Sequence, residues 1–418
     1  MNNVNVPPTD DFRAVQLMPH ISDLLSTVDA TKCKLLRPNN TKKSYYNVDT
    51  YLETHFRLLW ADFIEPLRQS IGKFCKDTQQ VPSINQDFFF YLNVKFIFEN
   101  YEHDSRFHGL QVQFQPIPYS NLINDKRLKY GSLVCLWKAS HQIIILATVT
   151  QCDPEQLKRG RLTLQIERIS MNVQKFAAMS YITHSSMVYT MLESKKVFYE
   201  PYRVVMKTFQ QFSDSSFPLK VHLLGWNKDA GIPDYLARNY VQSNYRVNTQ
   251  SGILITIKDV LNIHSWPPAD VLGVNQSQRI ALHAAITRRV ALIQGPPGTG
   301  KSFIARKIID TLLANQHLWR HRRQPIVVIC LTNQALDQFL EGVLQYTNRL
   351  IRFGQQSQSD VLQNYTLSFI KERSSKRTTD LDLCRSVDVI GFTTTGAVRR
   401  RDLLELLNPV IGIYIYYT

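Results

Sequence analysis

The sequence predicts an α/β protein: a parallel sheet covered by helices, preceded by a helical stalk and a small β-barrel. Three observations carry this. From Ala269 onward the apolar pattern runs helix, strand, Gly-rich loop, helix, strand, helix, strand, the alternation that builds a parallel sheet. From Asp87 to about Arg168 the pattern changes to short runs of period two separated by turn residues, as in a small barrel. Before that, Leu52, Phe56, Leu59, Trp60, Phe63, Leu67, Ile71 and Phe74 recur at helical spacing.

In chain order, residues 1–47 hold breakers (Pro7, Pro8, Pro38, Asn39, Asn40) and little periodicity, so an extended lead-in is expected. Residues 48–86 form the helical stalk, which Pro66 should kink or split. Residues 87–190 form the barrel-like domain, with strands at Phe88 to Phe98, Leu110 to Phe114, Leu133 to Trp137, Ile143 to Val149 and Leu162 to Ile166. Turns fall at Asn121 to Lys126 and at Cys152 to Arg161. The loops carry Lys126, Arg127, Lys129, Lys158, Arg159 and Arg161, which suit either a nucleic-acid platform or an ordinary solvated face. Residues 191–268 are a helical return and linker: a helix from Phe198 to Phe212, a strand at Ile253 to Ile257, and a boundary at Pro267-Pro268. Residues 269–418 form the parallel-sheet domain. Its strands are Val290 to Gln294, Ile326 to Leu331, Arg349 to Phe353, Val387 to Phe392 and Val410 to Tyr417.

At 418 residues the chain has room for two or three domains, and 44% hydrophobic with 20% charged residues is an ordinary globular composition. No apolar run approaches the length of a membrane span, and residues 1–10 lack a basic-then-apolar secretory pattern. Six cysteines without a C-x-x-C pair argue against a disulfide framework or a zinc finger, and for a reducing compartment, cytosol or nucleus. Lys and Arg number 49 against 34 Asp and Glu, a formal charge of +15 that favours a polyanionic partner.

The chemistry centres on Gly295-Pro296-Pro297-Gly298-Thr299-Gly300-Lys301-Ser302, which fits G-x-x-x-x-G-K-[ST] at every position. An apolar run precedes it. Helical spacing at Ile304, Ile308, Ile309 and Leu312 follows it. Backbone N–H groups of such a loop cradle phosphate at a helix N-terminus. Lys301 would reach the β- and γ-phosphates and Ser302 would hold Mg²⁺.

Upstream, Gln278 has both a donor and an acceptor for an adenine edge, although an isolated surface glutamine would carry no function. Downstream, Thr332, Asn333 and Asp337, and later Thr394 and Thr395, follow strand ends, where hydroxyls and amides suit phosphate and sugar. Thr332 or Asn333 could equally cap the helix that starts near Ala335. Basic clusters at Arg320, Arg322 and Arg323, at Lys371, Arg373, Lys376 and Arg377, and at Arg399 to Arg401 would add attraction independent of base sequence.

Taken together, Asn275 to Gln278 (NQSQ), LIQGPPGTGKS, LTNQALDQ and DVIGFTTTGA resemble the first RecA-like domain of Upf-like superfamily-1 helicases. The resemblance is closer to the ZNFX zinc-finger helicase family. There it extends to DTYLETHFRL (Asp49 to Leu58), Pro66-Leu67-Arg68 and LKYGSLV (Leu128 to Val134), and is looser from about 165 to 265. It implies an ATP-dependent RNA helicase or ATPase (EC 3.6.4.-) with Mg²⁺, acting on single-stranded or duplex RNA. A role in RNA silencing or antiviral defence, and a place in the cytoplasm or its ribonucleoprotein granules, are also implied. By the same resemblance Gln278 senses adenine, Gly295 to Ser302 hold the nucleotide with Lys301 as the catalytic residue, and Thr332, Asn333, Asp337, Thr394 and Thr395 face RNA.

One departure stands out. The family's next strand ends in adjacent acids that orient Mg²⁺ and the attacking water, whereas Val410 to Tyr417 contains no Asp or Glu. With the second RecA-like domain and the zinc fingers also absent, the expectation is an N-terminal fragment with weak or no turnover. A non-catalytic RNA-binding fragment with a relic nucleotide site is the alternative. A kinase or GTPase fits less well, because the one N-K-D string (Asn227 to Asp229) precedes the loop.

Overall fold

The computed structural model describes residues 11–25, 36–76, 87–97, 109–118, 127–141, 143–170, 181–184, 186–227, 229–239, 244–321, 323–354, 357–374 and 378–416. The chain divides into two units, Met1–Trp226 and Asn227–Thr418.

In the first unit the lead-in is less extended than its composition predicts. A 3₁₀ turn at Phe12–Ala14 buries Phe12, whose ring lies 5.5 Å from Phe56. Helix α1 (Ile21–Leu25) buries Leu24 completely and packs on helix α2 (Val48–Lys76). Helix α2 continues through Pro66 as one element, contrary to the expected kink or split. Proline removes one backbone hydrogen bond, but Phe63 and Ile64 before it and Leu67 and Ile71 after it lie in one core, which holds both halves.

A six-stranded closed antiparallel barrel follows: β1 (Phe88–Ile97), β2 (Leu110–Gln113), β3 (Leu133–Lys138), β4 (Ile143–Gln151), β5 (Arg161–Ile169) and β6 (Tyr189–Ser194). The order is β1-β2-β5-β4-β3-β6, with β6 closing against β1. Five strands match the period-two runs; β6 is an addition, so the barrel extends past the expected limit at 190. Strands β3 and β4 are buried on both faces. Val134, Leu136, Ile143 and Ile145 join the barrel interior, whereas Cys135, Trp137, Ile144 and Leu146 belong to the core shared with α2 and with helix α3 (Tyr199–Gln211). That is why these runs read as continuously apolar.

In the second unit a short helix at Asp234–Asn239 comes first and a hairpin follows, β7 (Tyr245–Asn248) and β8 (Leu254–Ile257). The Pro pair at 267–268 lies inside this unit and is no boundary. Trp266 is buried, and Arg279 binds the carbonyl oxygens of Ile263, Trp266 and Pro267. Helix α4 (Gln276–Thr287) leads to the Gly-rich loop and helix α5 (Lys301–Ala314). Then come β9 (Ile326–Cys330), α6 (Asn333–Val343), β10 (Leu350–Arg352), β11 (Val389–Thr393), α7 (Thr394–Arg399), α8 (Arg401–Leu407) and β12 (Gly412–Ile415). The four strands are parallel in the order β10-β11-β9-β12.

One expected strand does not form. Residues 290–294 lie outside the sheet, and Leu292 is 94% exposed. A strand exists by its ladder, and among the described residues this segment pairs with no strand, the open edge of β12 included. Instead, Leu292, Ile293 and Gln294 line a cavity of about 1000 Å³ together with Ile411, Ile413 and Ile415. Among the described residues β12 pairs with β9 alone, so its outer edge stays open. No described helix is long and apolar enough to cross a membrane.

Candidate nucleotide-binding site

Gly295 to Ser302 connects residues 290–294 to α5, as the pattern requires. Gly298 and Gly300 have φ of +79° and +83°, a region that glycine enters freely and other residues rarely do. Gly300 is the N-cap of α5, so the loop ends on the positive end of that helix. Lys301 Nζ donates to the carbonyls of Gly295 (2.7 Å) and Pro296 (2.8 Å). The ammonium thus occupies its own loop, and a bound phosphate would have to replace those two carbonyls. Thr299 Oγ1 donates to the same Pro296 oxygen at 2.8 Å, which tightens the turn.

Gln278 lies against this loop. Its Nε2 donates to the Thr299 carbonyl at 3.1 Å, and its Oε1 accepts from the Asn275 backbone at 3.0 Å. Asn275 in return caps the backbone of Gln278, a capping box that fixes the start of α4. A Cβ on Gly300 would come within 2.6 Å of Gln278 Nε2, so that glycine also makes room for the glutamine.

The other candidates fall at the carboxyl edge of the sheet. Cys330 is in register with Thr393, so Thr332 and Asn333 after β9 and Thr394 and Thr395 after β11 follow neighbouring strand ends. Thr332 caps α6 by accepting from Ala335 N at 3.1 Å, so its capping role is realised. Thr393, which the sequence did not single out, caps α7 in the same way. Asp337 differs from the rest. It is buried and paired at 2.9 Å with Arg352, whose side chain is fully enclosed. Burial and the nearby Asp337 push the Cys330 thiol up to about 12, so it stays protonated.

Several basic candidates are already engaged. Arg320 is buried in an ion pair with Asp388; Lys371 and Arg400 both pair with Asp380; Arg401 meets Glu405 at 2.7 Å. Arg373 lies 4.3 Å from the Phe369 ring centroid. Lys126, Arg322, Lys376 and Arg377 lie outside the described residues. In the barrel Arg127 stacks on Phe89 at 3.8 Å.

Residues 83–195, which include the barrel strands, match the ZNFX1 domain, and residues 273–398, which hold the loop and three of the parallel strands, match an AAA domain. The chain is 30% identical over 385 residues to the human NFX1-type zinc finger-containing protein 1, covering 88% of this chain and 20% of that protein. These matches are to the ZNFX-like family of superfamily-1 helicases. Among the chain's relatives is the Schizosaccharomyces pombe helicase required for RNAi-mediated heterochromatin assembly 1, 26% identical over 371 residues, 88% of this chain and 34% of the relative. The ATP-dependent helicase upf1 of the same yeast is 33% identical over 88 residues, 21% and 10% of the two chains. The AAA match places a P-loop nucleotide-binding fold at residues 273–398 of this ZNFX-like chain. The chain spans only a fifth to a third of the first two relatives' lengths.

Proposed function

We propose that this chain is the nucleotide- and RNA-binding part of an RNA helicase. ATP with Mg²⁺ would bind at Gly295 to Ser302 in a RecA-like domain, and RNA along the neighbouring carboxyl edge of the sheet. The observation that carries this is the contact of Gln278 with the loop: a group able to read adenine is hydrogen-bonded to the loop that would hold the phosphates. Gln278 Oε1 and Nε2 each retain capacity for one further hydrogen bond, enough for the base edge. Lys301 would exchange its two carbonyl partners for β- and γ-phosphate oxygens. Thr332, Asn333, Thr394 and Thr395 would meet phosphate or ribose, single-stranded or duplex. The name of the Schizosaccharomyces pombe relative, a helicase required for RNAi-mediated heterochromatin assembly, supports a role in RNA silencing.

The metal fit is narrow. Ser302 in the first turn of α5 offers one oxygen. No cluster of three His, Cys, Asp or Glu able to hold a metal occurs among the described residues, and β12 bears no acid. Mg²⁺ would therefore take one oxygen from these residues and the rest from phosphate and water, supplying charge neutralisation between the phosphates. This favours binding with slow turnover, and it gives weight to a second reading, a non-catalytic RNA-binding fragment with a relic nucleotide site.

A fluorescent ATP analogue and a labelled RNA oligomer test both. Lys301→Ala should weaken nucleotide binding at least about tenfold while leaving the thermal midpoint in place. RNA affinity should change when nucleotide is added to the parent chain and not to the variant. Nucleotide affinity unaffected by Lys301→Ala defeats the assignment of the site. RNA affinity indifferent to nucleotide defeats coupling and leaves the second reading.

A further inference from the structure

Arg352 is the largest charge enclosed in the second unit, and the nucleotide chemistry does not use it. It ends β10, a parallel strand otherwise made of Leu350 and Ile351, and its side chain is 0% exposed. Burying a guanidinium costs several kcal/mol unless its donors are satisfied. Here they are shared out with evident selectivity. Nε donates to Asp337 Oδ1 at 2.9 Å, Nη2 to Asn333 Oδ1 at 2.8 Å, and Nη1 to the carbonyls of Phe353 (3.0 Å) and Gly354 (2.8 Å). Gly354 has φ +103°, and a Cβ there would come within 2.9 Å of Nη1, so glycine is needed for that approach.

The other half of Asp337 faces the opposite way. Its Oδ2 accepts from Ser357 Oγ at 3.1 Å and from the Gln358 backbone at 2.9 Å. Gly391 on β11, in register with Arg352, lets α6 sit close: a Cβ would come within 2.7 Å of Leu340 and 2.9 Å of Leu336. The first turn of α6, the end of β10 and residues 357–358 are thereby tied through one buried ion pair.

We infer that Arg352 is a positioning residue for the RNA edge. By holding the Asn333 oxygen it fixes which end of that amide faces outward, so Asn333 meets a ligand as an N–H donor, suited to phosphate or ribose oxygens. Asp337, consumed by Arg352, Ser357 and Gln358, braces the turn and makes no ligand contact. This rests on the RNA reading above. It reassigns one residue of the resemblance from contact to support.

The test uses Arg352→Lys, which keeps a cation beside Asp337 but loses the fork that reaches Asn333. In the 418-residue chain it should lower RNA affinity about tenfold and leave affinity for the ATP analogue within about twofold. Asn333→Ala should cost a similar factor, and the double variant no more than either single one, because both act through the same amide. RNA affinity unchanged in Arg352→Lys, or costs that multiply in the double variant, overturns the inference. Hydrogen exchange of the amides at 332–338 gives a readout without RNA. Exchange there should quicken in Arg352→Lys by a larger factor than exchange in β9, and unaltered protection at 332–338 overturns the inference too. If the parent chain binds no RNA, the RNA reading falls, and the exchange result alone decides whether Arg352 positions the turn.

Discussion

Single residues carry several of the fold's costs, and Glu193 is the clearest. It sits in the barrel at 5% exposure, accepting from Tyr91 Oη at 2.7 Å and from Leu128 N at 2.9 Å. Burial raises its pKa above the ordinary 4.5, while hydrogen bonds from Tyr91, Ser132 and Leu128 oppose the rise. The sign follows directly. The folded state holds the proton more tightly than the unfolded state, so the contribution is fully stabilising below pH 4.5 and is lost as pH rises through the elevated value. Urea midpoints of the barrel should carry a component that falls with rising pH across that window. Glu193→Gln, neutral throughout, should remove it, and an identical pH profile in the variant would show that Glu193 ionises freely. Arg352 is a second case. A cation between Ile351 and Phe353 was a readable signal for a buried, fully partnered charge, but its side-chain partners come from α6 and could not be read from spacing.

At the scale of elements, what could be read depended on how local the cause was. Helices α2, α3 and α5 and barrel strands β1 to β5 follow from apolar periodicity, and the start of α4 from a capping box written in four adjacent residues. Strand β6 escaped because its pattern is only Tyr189, Met191 and Leu192, and its place is set by β1 and β3. The strand expected at 290–294 failed for the converse reason: a good local pattern that no neighbouring strand hydrogen-bonds. The docking of hairpin β7–β8 was not visible at all. Asn315, fully buried after α5, donates to the Arg246 carbonyl and accepts from its N–H, both within 2.8 Å, while Asn248 Nδ2 reaches Asp310 Oδ1 at 2.7 Å. Removing the amide in Asn315→Ala should cost about 1–3 kcal/mol and speed amide exchange at 245–257 relative to β9. Equal exchange there would mean that the hairpin is held by its apolar face alone.

Across the whole molecule, composition and motif anticipated the kind of protein better than its detail. The excess of Lys and Arg over Asp and Glu agrees with a polyanionic partner. Yet Arg320, Lys371, Arg400 and Arg401 have carboxylate partners, so the charge available to a ligand is less than the clusters suggest. The Gly-rich loop and the helix it opens were legible because their pattern is contiguous in the chain. The residues expected to face RNA were legible only as a list, and the structure sorts that list: Thr332 caps a helix, Asn333 accepts from Arg352, and Asp337 is internal.

The open side of β12 also bears on how the polypeptide behaves in a crowd. Tyr414 and Tyr416 are 57% and 58% exposed on and beside an edge of unpaired backbone N–H and C=O groups, a template on which any extended chain can polymerise. Purified alone, these 418 residues should scatter more light as concentration rises and should bind amyloid-sensitive dyes on warming. A lysine at position 414 (Tyr414→Lys), on the exposed side of that strand, should act as a gatekeeper and delay both, with little loss of soluble fold. Equal onset in the two proteins would locate the aggregating segment elsewhere.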